Sequence, residues 1–274
     1  MDGYADLHLH TTYSDGVFTP EQLLKKVSEV GISAISITDH DSVDGYIQAL
    51  KYLDKYNIQL IPGIELSCIE NGKEIHLLGY NIDPDNKILK NHLQDFRNGR
   101  YKRAEQILQK LKNLQRPVNF SLVLEKAGEA PITRPHIAMA MTELGYTSNL
   151  KEAFVLYLGD DKPAYVSKAN FSIERGIKLI NQSGGLAVLA HPARMIQPDT
   201  LYKLIKSGLD GIEIIHPTHD LATQKYYQSI ASQYWLLETG GSDFHGNREY
   251  DEENLGKFIV PLSTVESIKI HSVR

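Results

Sequence analysis

The chain has almost no cysteine, no excess of positive charge and no long apolar run, and each absence narrows what it can be. Cys68 is the single cysteine among 274 residues, so no internal disulfide can form, and this usage fits a reducing compartment. Lys and Arg number 29 against 34 for Asp and Glu, a formal charge of -5. That balance argues against an electrostatic grip on duplex nucleic acid, while a local basic pocket stays compatible with it. No apolar stretch is long enough to span a bilayer, and Met1-Asp2-Gly3-Tyr4 leads straight into a strand pattern, without the residue succession of a secretory leader. A cytoplasmic protein with no membrane partner is expected. No internal repeat or low-complexity segment is visible.

What is present is histidine and carboxylate at the ends of apolar runs. In Asp6-Leu-His8-Leu-His10 the histidines alternate with leucines, so in a strand both imidazoles project one way while Leu7 and Leu9 enter a core. The Thr-Thr-Tyr-Ser-Asp15-Gly loop that follows can return Asp15 to the same point. Ala34-Ile-Ser-Ile-Thr-Asp-His40-Asp, Leu60-Ile-Pro-Gly-Ile-Glu65, Glu74-Ile-His76, Leu186-Ala-Val-Leu-Ala-His191-Pro and Gly-Ser-Asp243-Phe-His245 repeat the theme. One such residue alone is more often a satisfied core histidine or a cap. Several apolar runs ending this way argue for paired or metal-bound groups, since isolated ionisable side chains there are costly. Imidazole mixed with carboxylate suits zinc, manganese or iron.

Strands and helices alternate along most of the chain. Strand patterns at 4–10, 34–38, 59–67, 74–80, 186–190, 211–215 and 235–239 are separated by amphipathic stretches at 20–30, 44–56, 173–182, 199–206 and 223–233. Near-continuous apolar strands predict a parallel sheet covered by helices, closed into a barrel of about seven strands, with the polar residues at the strand C-terminal ends. Residues 92–168 depart from this pattern. Helical periodicity at 91–114, 137–144 and 150–158, punctuated by Pro117, Gly128, Pro131, Pro135 and Pro163, reads as a small helical insertion between two barrel segments, 1–91 and 169–274. Within it, Pro131-Ile-Thr-Arg134-Pro-His136 reads as a stiff turn carrying a cation and an imidazole.

His-Leu-His, Thr-Asp-His-Asp, Pro-Gly-Ile-Glu, Ala-His-Pro and Gly-Ser-Asp-Phe-His, in this order from Asp6 to His245, resemble the motifs of the PHP family, named for polymerase and histidinol phosphatase. The resemblance implies an α/β fold, a distorted (β/α)7 TIM-like barrel, with two or three divalent metal ions, often manganese, sometimes zinc or iron. Carried over by position, it implies His8, His10, Glu65 and Asp243 on one metal and Glu65, His76 and His191 on a second, with Glu65 bridging. Asp15, His40 and His245 match the ligands of a third. The insertion resembles that of stand-alone members that remove the 3′-phosphate of nucleoside 3′,5′-bisphosphates, and related members trim short RNA from its 5′ end.

A metal-dependent phosphoesterase acting on a small nucleotide or short oligonucleotide is therefore expected, with a hydroxide between the cations as nucleophile. Histidinol phosphate is another substrate of this chemistry, and a non-catalytic metal- or nucleic-acid-binding module is the remaining reading. Arg134 is the expected phosphate fork and electrostatic stabiliser, with the insertion capping the site. His216 is the expected acid for the leaving oxygen. His136, Arg194 and His219 are further expected substrate contacts.

Overall fold

The alternation of leucine and histidine in the first strand sets the inside and outside of the molecule. In the computed structural model, which describes residues 3–193 and 196–271, β1 (Tyr4–Leu9) buries both faces. Leu9 packs outward with Leu23, Leu24 and Val27 of α1 (Pro20–Glu29), and His8 and His10 face the other way. Helix α1 begins as its sequence predicts, with Thr19 and Gln22 in a capping box and Pro20 in the first turn.

The first segment continues with β2 (Ala34–Ile37), α2 (Asp44–Ala49), α3 (Leu53–Tyr56), β3 (Gln59–Glu70) and β4 (Lys73–Tyr80). Then come α4 (Lys87–Asn113), α5 (Phe120–Ala127), α6 (Arg134–Glu143) and α7 (Leu150–Ala153), the last running into a π-helical turn at Phe154–Leu158. The chain closes with α8 (Ile173–Gln182), β5 (Leu186–Leu189), α9 (Pro198–Lys206), β6 (Gly211–Ile215), α10 (Leu221–Tyr234), β7 (Leu237–Gly240), α11 (Asp251–Asn254), β8 (Val260–Pro261) and α12 (Leu262–His271).

The strands of the described residues form one eight-stranded sheet in the order β7-β6-β5-β4-β3-β2-β1-β8. It curls until a parallel bridge from Leu9 to Phe244 and a hydrogen bond from His10 N to Phe244 O bring β1 against the segment that follows β7. Gly241 permits that closure, because a Cβ there would lie 2.4 Å from His8 Cβ. Alternate residues share a face, so Leu78 and Tyr80 of β4, with Val188 and Leu186 opposite them in register, line the same side as Glu65. Tyr80 donates to the Leu7 carbonyl of β1 at 3.0 Å.

Three features differ from the sequence reading. The sheet is mixed: β4 runs antiparallel to both β3 and β5. The cause is a tight hairpin at Asn71-Gly72, both at positive φ (50° and 76°), the conformation that a two-residue turn between twisted strands requires. His76, opposite Ser67, therefore reaches the site from the first half of its strand rather than the C-terminal end. The 44–56 stretch is also not one helix, since a 3-10 turn at Leu50–Tyr52 divides it into α2 and α3. In the same way Trp235 caps α10 in the left-handed conformation (φ 52°), and β7 starts at Leu237.

The chain divides into two compact units, Met1–Lys90 with Asn170–Arg274, and Asn91–Ala169. The first holds the sheet. The second is helical around its own core, in which Ile107, Leu111, Val123, Ile137, Met141 and Leu158 are buried.

Residues 1–90 supply β1 to β4 and leave the β4 edge that pairs with β5 open. Expressed alone they are expected to show no cooperative thermal transition by circular dichroism, because the unpaired edge and the exposed core face have no partner. A sharp melt would mean that this half is a domain in its own right.

Candidate metal centre and active site

Glu65 lies in β3 with no exposure to solvent, and imidazoles surround its carboxylate. Oε2 is 3.3 Å from His8 Nε2, 3.3 Å from His10 Nε2 and 3.1 Å from His40 Nδ1. Oε1 is 2.9 Å from His76 Nδ1 and 3.2 Å from His191 Nε2. Asp243 brings a second carboxylate, its Oδ1 3.4 Å from His8 Nε2 and 3.1 Å from His10 Nε2. Its backbone is left-handed (φ 51°), a conformation that aspartate adopts more readily than most side chains. Asp15 returns to the site as its loop suggests, with Oδ1 3.1 Å from His245 Nε2.

Among the described residues four clusters of donor atoms result, in each of which the atoms lie within 4.8 Å of one another: His8, His10, Glu65 and Asp243; His40, Glu65 and His76; His10, Asp15, His40 and His245; and His8, Glu213 and His216. His8 Nε2, His10 Nε2, Asp15 Oδ1, His40 Nδ1, Glu65 Oε2 and His76 Nδ1 are buried without a hydrogen-bond partner. Buried polar atoms are ordinarily satisfied, so a convergent set of orphans fits divalent cations. His40, a ligand of the third metal alone by resemblance, stands between two clusters.

The charges in this space are mutually supported. Burial pushes the Glu65 carboxyl up, but the rings of His40, His76 and His8 outweigh it and hold the group well below the usual range. Asp243 is held low in the same way by His8, His10 and His216. Burial opposes a proton on His10 and His76, yet Asp243 and Glu65 raise the former to about 9, and Glu65 and Glu74 the latter to about 10. His40 goes the other way, to about 3, through burial and the positive rings of His10 and His76. So crowded a set cannot protonate every ring.

Buried carboxylates behind the first three clusters fix these geometries, and sequence reasoning missed them. Glu213 of β6 accepts from His191 N at 2.7 Å and lies 2.9 Å from His8 Nδ1, which leaves His8 Nε2 facing the cluster. Asp39 takes Thr11 N at 2.7 Å, Thr11 Oγ1 at 2.6 Å and Ser14 Oγ at 2.5 Å, shaping the loop that carries Asp15. Asp6 accepts from Ser242 N and Oγ beside Asp243. Asp251 Oδ2 accepts the backbone N–H groups of His245, Gly246, Asn247 and Arg248. The available signal was a charged residue inside an apolar strand, as in Gly211-Ile-Glu-Ile-Ile.

The remaining expected residues separate. His216 is buried; its Nδ1 accepts from Thr218 N at 3.1 Å, so the neutral ring carries its proton on Nε2, 3.6 Å from Asp243 Oδ2. His219 is reassigned. Its Nδ1 bonds the Ile214 carbonyl and its Nε2 accepts from Ala193 N, both at 2.9 Å, so the ring braces the His191 loop and has no nitrogen left for substrate. The stiff turn at Arg134 proves to be the first turn of α6, where His136 Nδ1 accepts from Thr133 N at 3.2 Å as part of a cap. Arg134 Nη1 donates to Leu158 O at 3.1 Å and Asp160 Oδ1 at 2.7 Å, within the helical unit. Arg194 lies outside the described residues.

Residues 6–126 match the PHP domain. The 5′-3′ exoribonuclease Rnm of Escherichia coli K12 is 33% identical over 247 residues, covering 88% of this chain and 84% of that protein. The chain belongs to the PHP family. A 3′,5′-nucleoside bisphosphate phosphatase of Chromobacterium violaceum is 30% identical over 250 residues, 89% of this chain and 88% of that one. A solved Bifidobacterium adolescentis structure, described as a metal-dependent phosphoesterase, superposes with a TM-score of 0.87 at 27% identity, covering 96% of this chain and 94% of that chain. The barrel with its histidine and carboxylate clusters is thus that of a PHP metal-dependent phosphoesterase. Among the described residues no helix is long and apolar enough to cross a membrane.

Glu213→Ala removes the carboxylate behind His8 without touching a cluster atom on Glu65 or Asp243. Affinity for a divalent cation, probed with manganese, is expected to weaken about tenfold to a hundredfold, the usual cost of losing an outer partner of a metal-binding histidine. Unchanged affinity in a competitive chelator titration would leave Glu213 with no such role.

Proposed function

We propose that this PHP phosphoesterase removes the 3′-phosphate of nucleoside 3′,5′-bisphosphates. The observation that carries a cation-assisted phosphate chemistry is the set of buried, unpartnered donor atoms converging around Glu65. His8, His10, Glu65 and Asp243 would hold one cation, and Glu65, His76 and His191 a second. His10, Asp15, His40 and His245 would hold a third, and manganese suits this mixture of imidazole and carboxylate. When bound, such cations neutralise phosphate charge and activate water for in-line displacement.

The chain's own side chains supply the rest. His216 carries its N–H on Nε2 beside Asp243 and is the group that would donate a hydrogen bond to the leaving oxygen as charge develops on it. Arg134 provides a guanidinium for a phosphate of the substrate. The relative among exoribonucleases favours a second reading, stepwise 5′→3′ trimming of short RNA by the same chemistry.

A phosphate-release panel with manganese decides between them, comparing nucleoside 3′,5′-bisphosphates, histidinol phosphate and 5′-phosphorylated short RNA. The bisphosphate is expected to give the highest kcat/KM. RNA turned over faster than the bisphosphate would establish the second reading, and no release from any of them would remove both.

Glu65→Gln is expected to be the most damaging conservative change, lowering both metal content and turnover, since it neutralises the carboxylate shared by two sites. Elemental analysis with near-normal manganese would take Glu65 out of that role. Arg134→Ala is expected to leave metal content intact and lower kcat/KM for the bisphosphate about tenfold to a hundredfold, the worth of a charge-assisted fork. Wild-type kinetics would restrict Arg134 to its contacts with Leu158 and Asp160.

A further inference from the structure

Arg248 plays no part in the chemistry above, yet its guanidinium lies on the donor atoms. Nη1 is 2.7 Å from Asp243 Oδ2 and Nη2 is 2.6 Å from His245 Nε2. A guanidinium has donors only, so His245 Nε2 must offer it a lone pair. The other ring nitrogen agrees, since Nδ1 lies 2.7 Å from the Asp243 carbonyl, which can only accept. His245 Nε2 is therefore an acceptor, and the acceptor Asp15 Oδ1 stands 3.1 Å from it. Two acceptors at that distance repel each other unless a positive charge lies against them.

We propose that Arg248 is a built-in occupant of the third cation position, its guanidinium and a divalent cation being alternatives on the lone pair of His245 Nε2, with Nη1 anchored on Asp243 Oδ2. A lone pair engaged by a guanidinium N–H cannot coordinate a metal. The exchange needs little rearrangement: the Arg248 backbone is held by Asp251 Oδ2 at 3.0 Å, and its side chain is 47% exposed, so the head group can swing into water. The position beside Asp15 and His245 then carries positive charge at low and at high metal concentration. The third cation binds more weakly than the others because it must displace an arginine.

The inference rests on the metal reading of the site, and one titration separates the two. Manganese is added to the chelator-stripped full-length protein, and free Mn2+ is followed by its electron paramagnetic resonance signal. Wild-type protein is expected to take up tight equivalents followed by a weaker one. Arg248→Ala should tighten the weakest equivalent at least tenfold and leave the tight ones unchanged, and Arg248→Lys, which keeps the charge but not the fork, should fall between. A weakest equivalent that is unchanged or loosened in Arg248→Ala overturns the proposal while leaving the metal reading in place. A wild-type protein that binds no manganese overturns both.

Discussion

A carboxylate sealed from water and ringed by imidazoles is the constraint to which the rest of this barrel answers. Glu65 has no solvent exposure, and an isolated charge so buried costs several kcal/mol even after relaxation. It is tolerable only where positive charge is held within hydrogen-bond range. His8, His10 and His76, whose rings are held protonated, meet that need at 2.9 to 3.3 Å, and His40 and His191 stand beside them. Rings packed this closely cannot all carry protons, as the depressed His40 shows. The assembly is therefore poised to exchange protons for cations, which neutral imidazoles and ionised carboxylates bind well.

Holding such a set in place falls to groups that never face the centre. The loops bearing Asp15, Asp243 and His245 are irregular, and an irregular loop keeps one shape only if its backbone donors are satisfied. Asp39, Asp6 and Asp251 do this from inside, each accepting several N–H or hydroxyl groups of one loop. His219 does the equivalent for the turn after His191, fixing Ala193 N to Ile214 O through its ring. The site thus has an inner layer of donors aimed at cations and an outer layer of carboxylates and imidazole aimed at backbone. Residue type alone does not tell the layers apart.

That explains what could be read beforehand. His8 and His10 were legible because leucine alternation fixes the direction of every side chain in a strand, Asp15 because its loop can return it to them, and His40, Glu65, His191 and Asp243 because apolar runs end at them. Glu213 was hidden: a glutamate inside Gly-Ile-Glu-Ile-Ile shows only that something buried pairs with it, and its partners lie on β1 and in the loop after β5. His219 read as a substrate contact because its partners are backbone atoms elsewhere in the chain. Arg248 sits in an exposed loop with no pattern around it, and only the fold brings it back onto Asp243. The pairing direction of β4 was written in Asn71-Gly72, but apolar continuity of the strand outweighed that local turn signal.

The reversed strand matters for the chemistry. The parallel run β1-β2-β3 delivers His8, His10 and His40 to one oxygen of Glu65, Oε2. On the other side of β3 the direction changes, and β4 and β5 pair so that Ala190 N bonds the carbonyl of His76. His191 follows immediately, and both rings reach Oε1. A carboxylate whose two oxygens face two separate groups of imidazoles is one that can bridge two cations. Had β4 continued the parallel pattern, its hydrogen-bonded neighbours would be offset differently and His76 would lie at the opposite end of the barrel. The hairpin at Asn71-Gly72 is thus as much a part of the metal centre as any ligand, because it turns a single shared glutamate from a one-sided contact into a two-sided one.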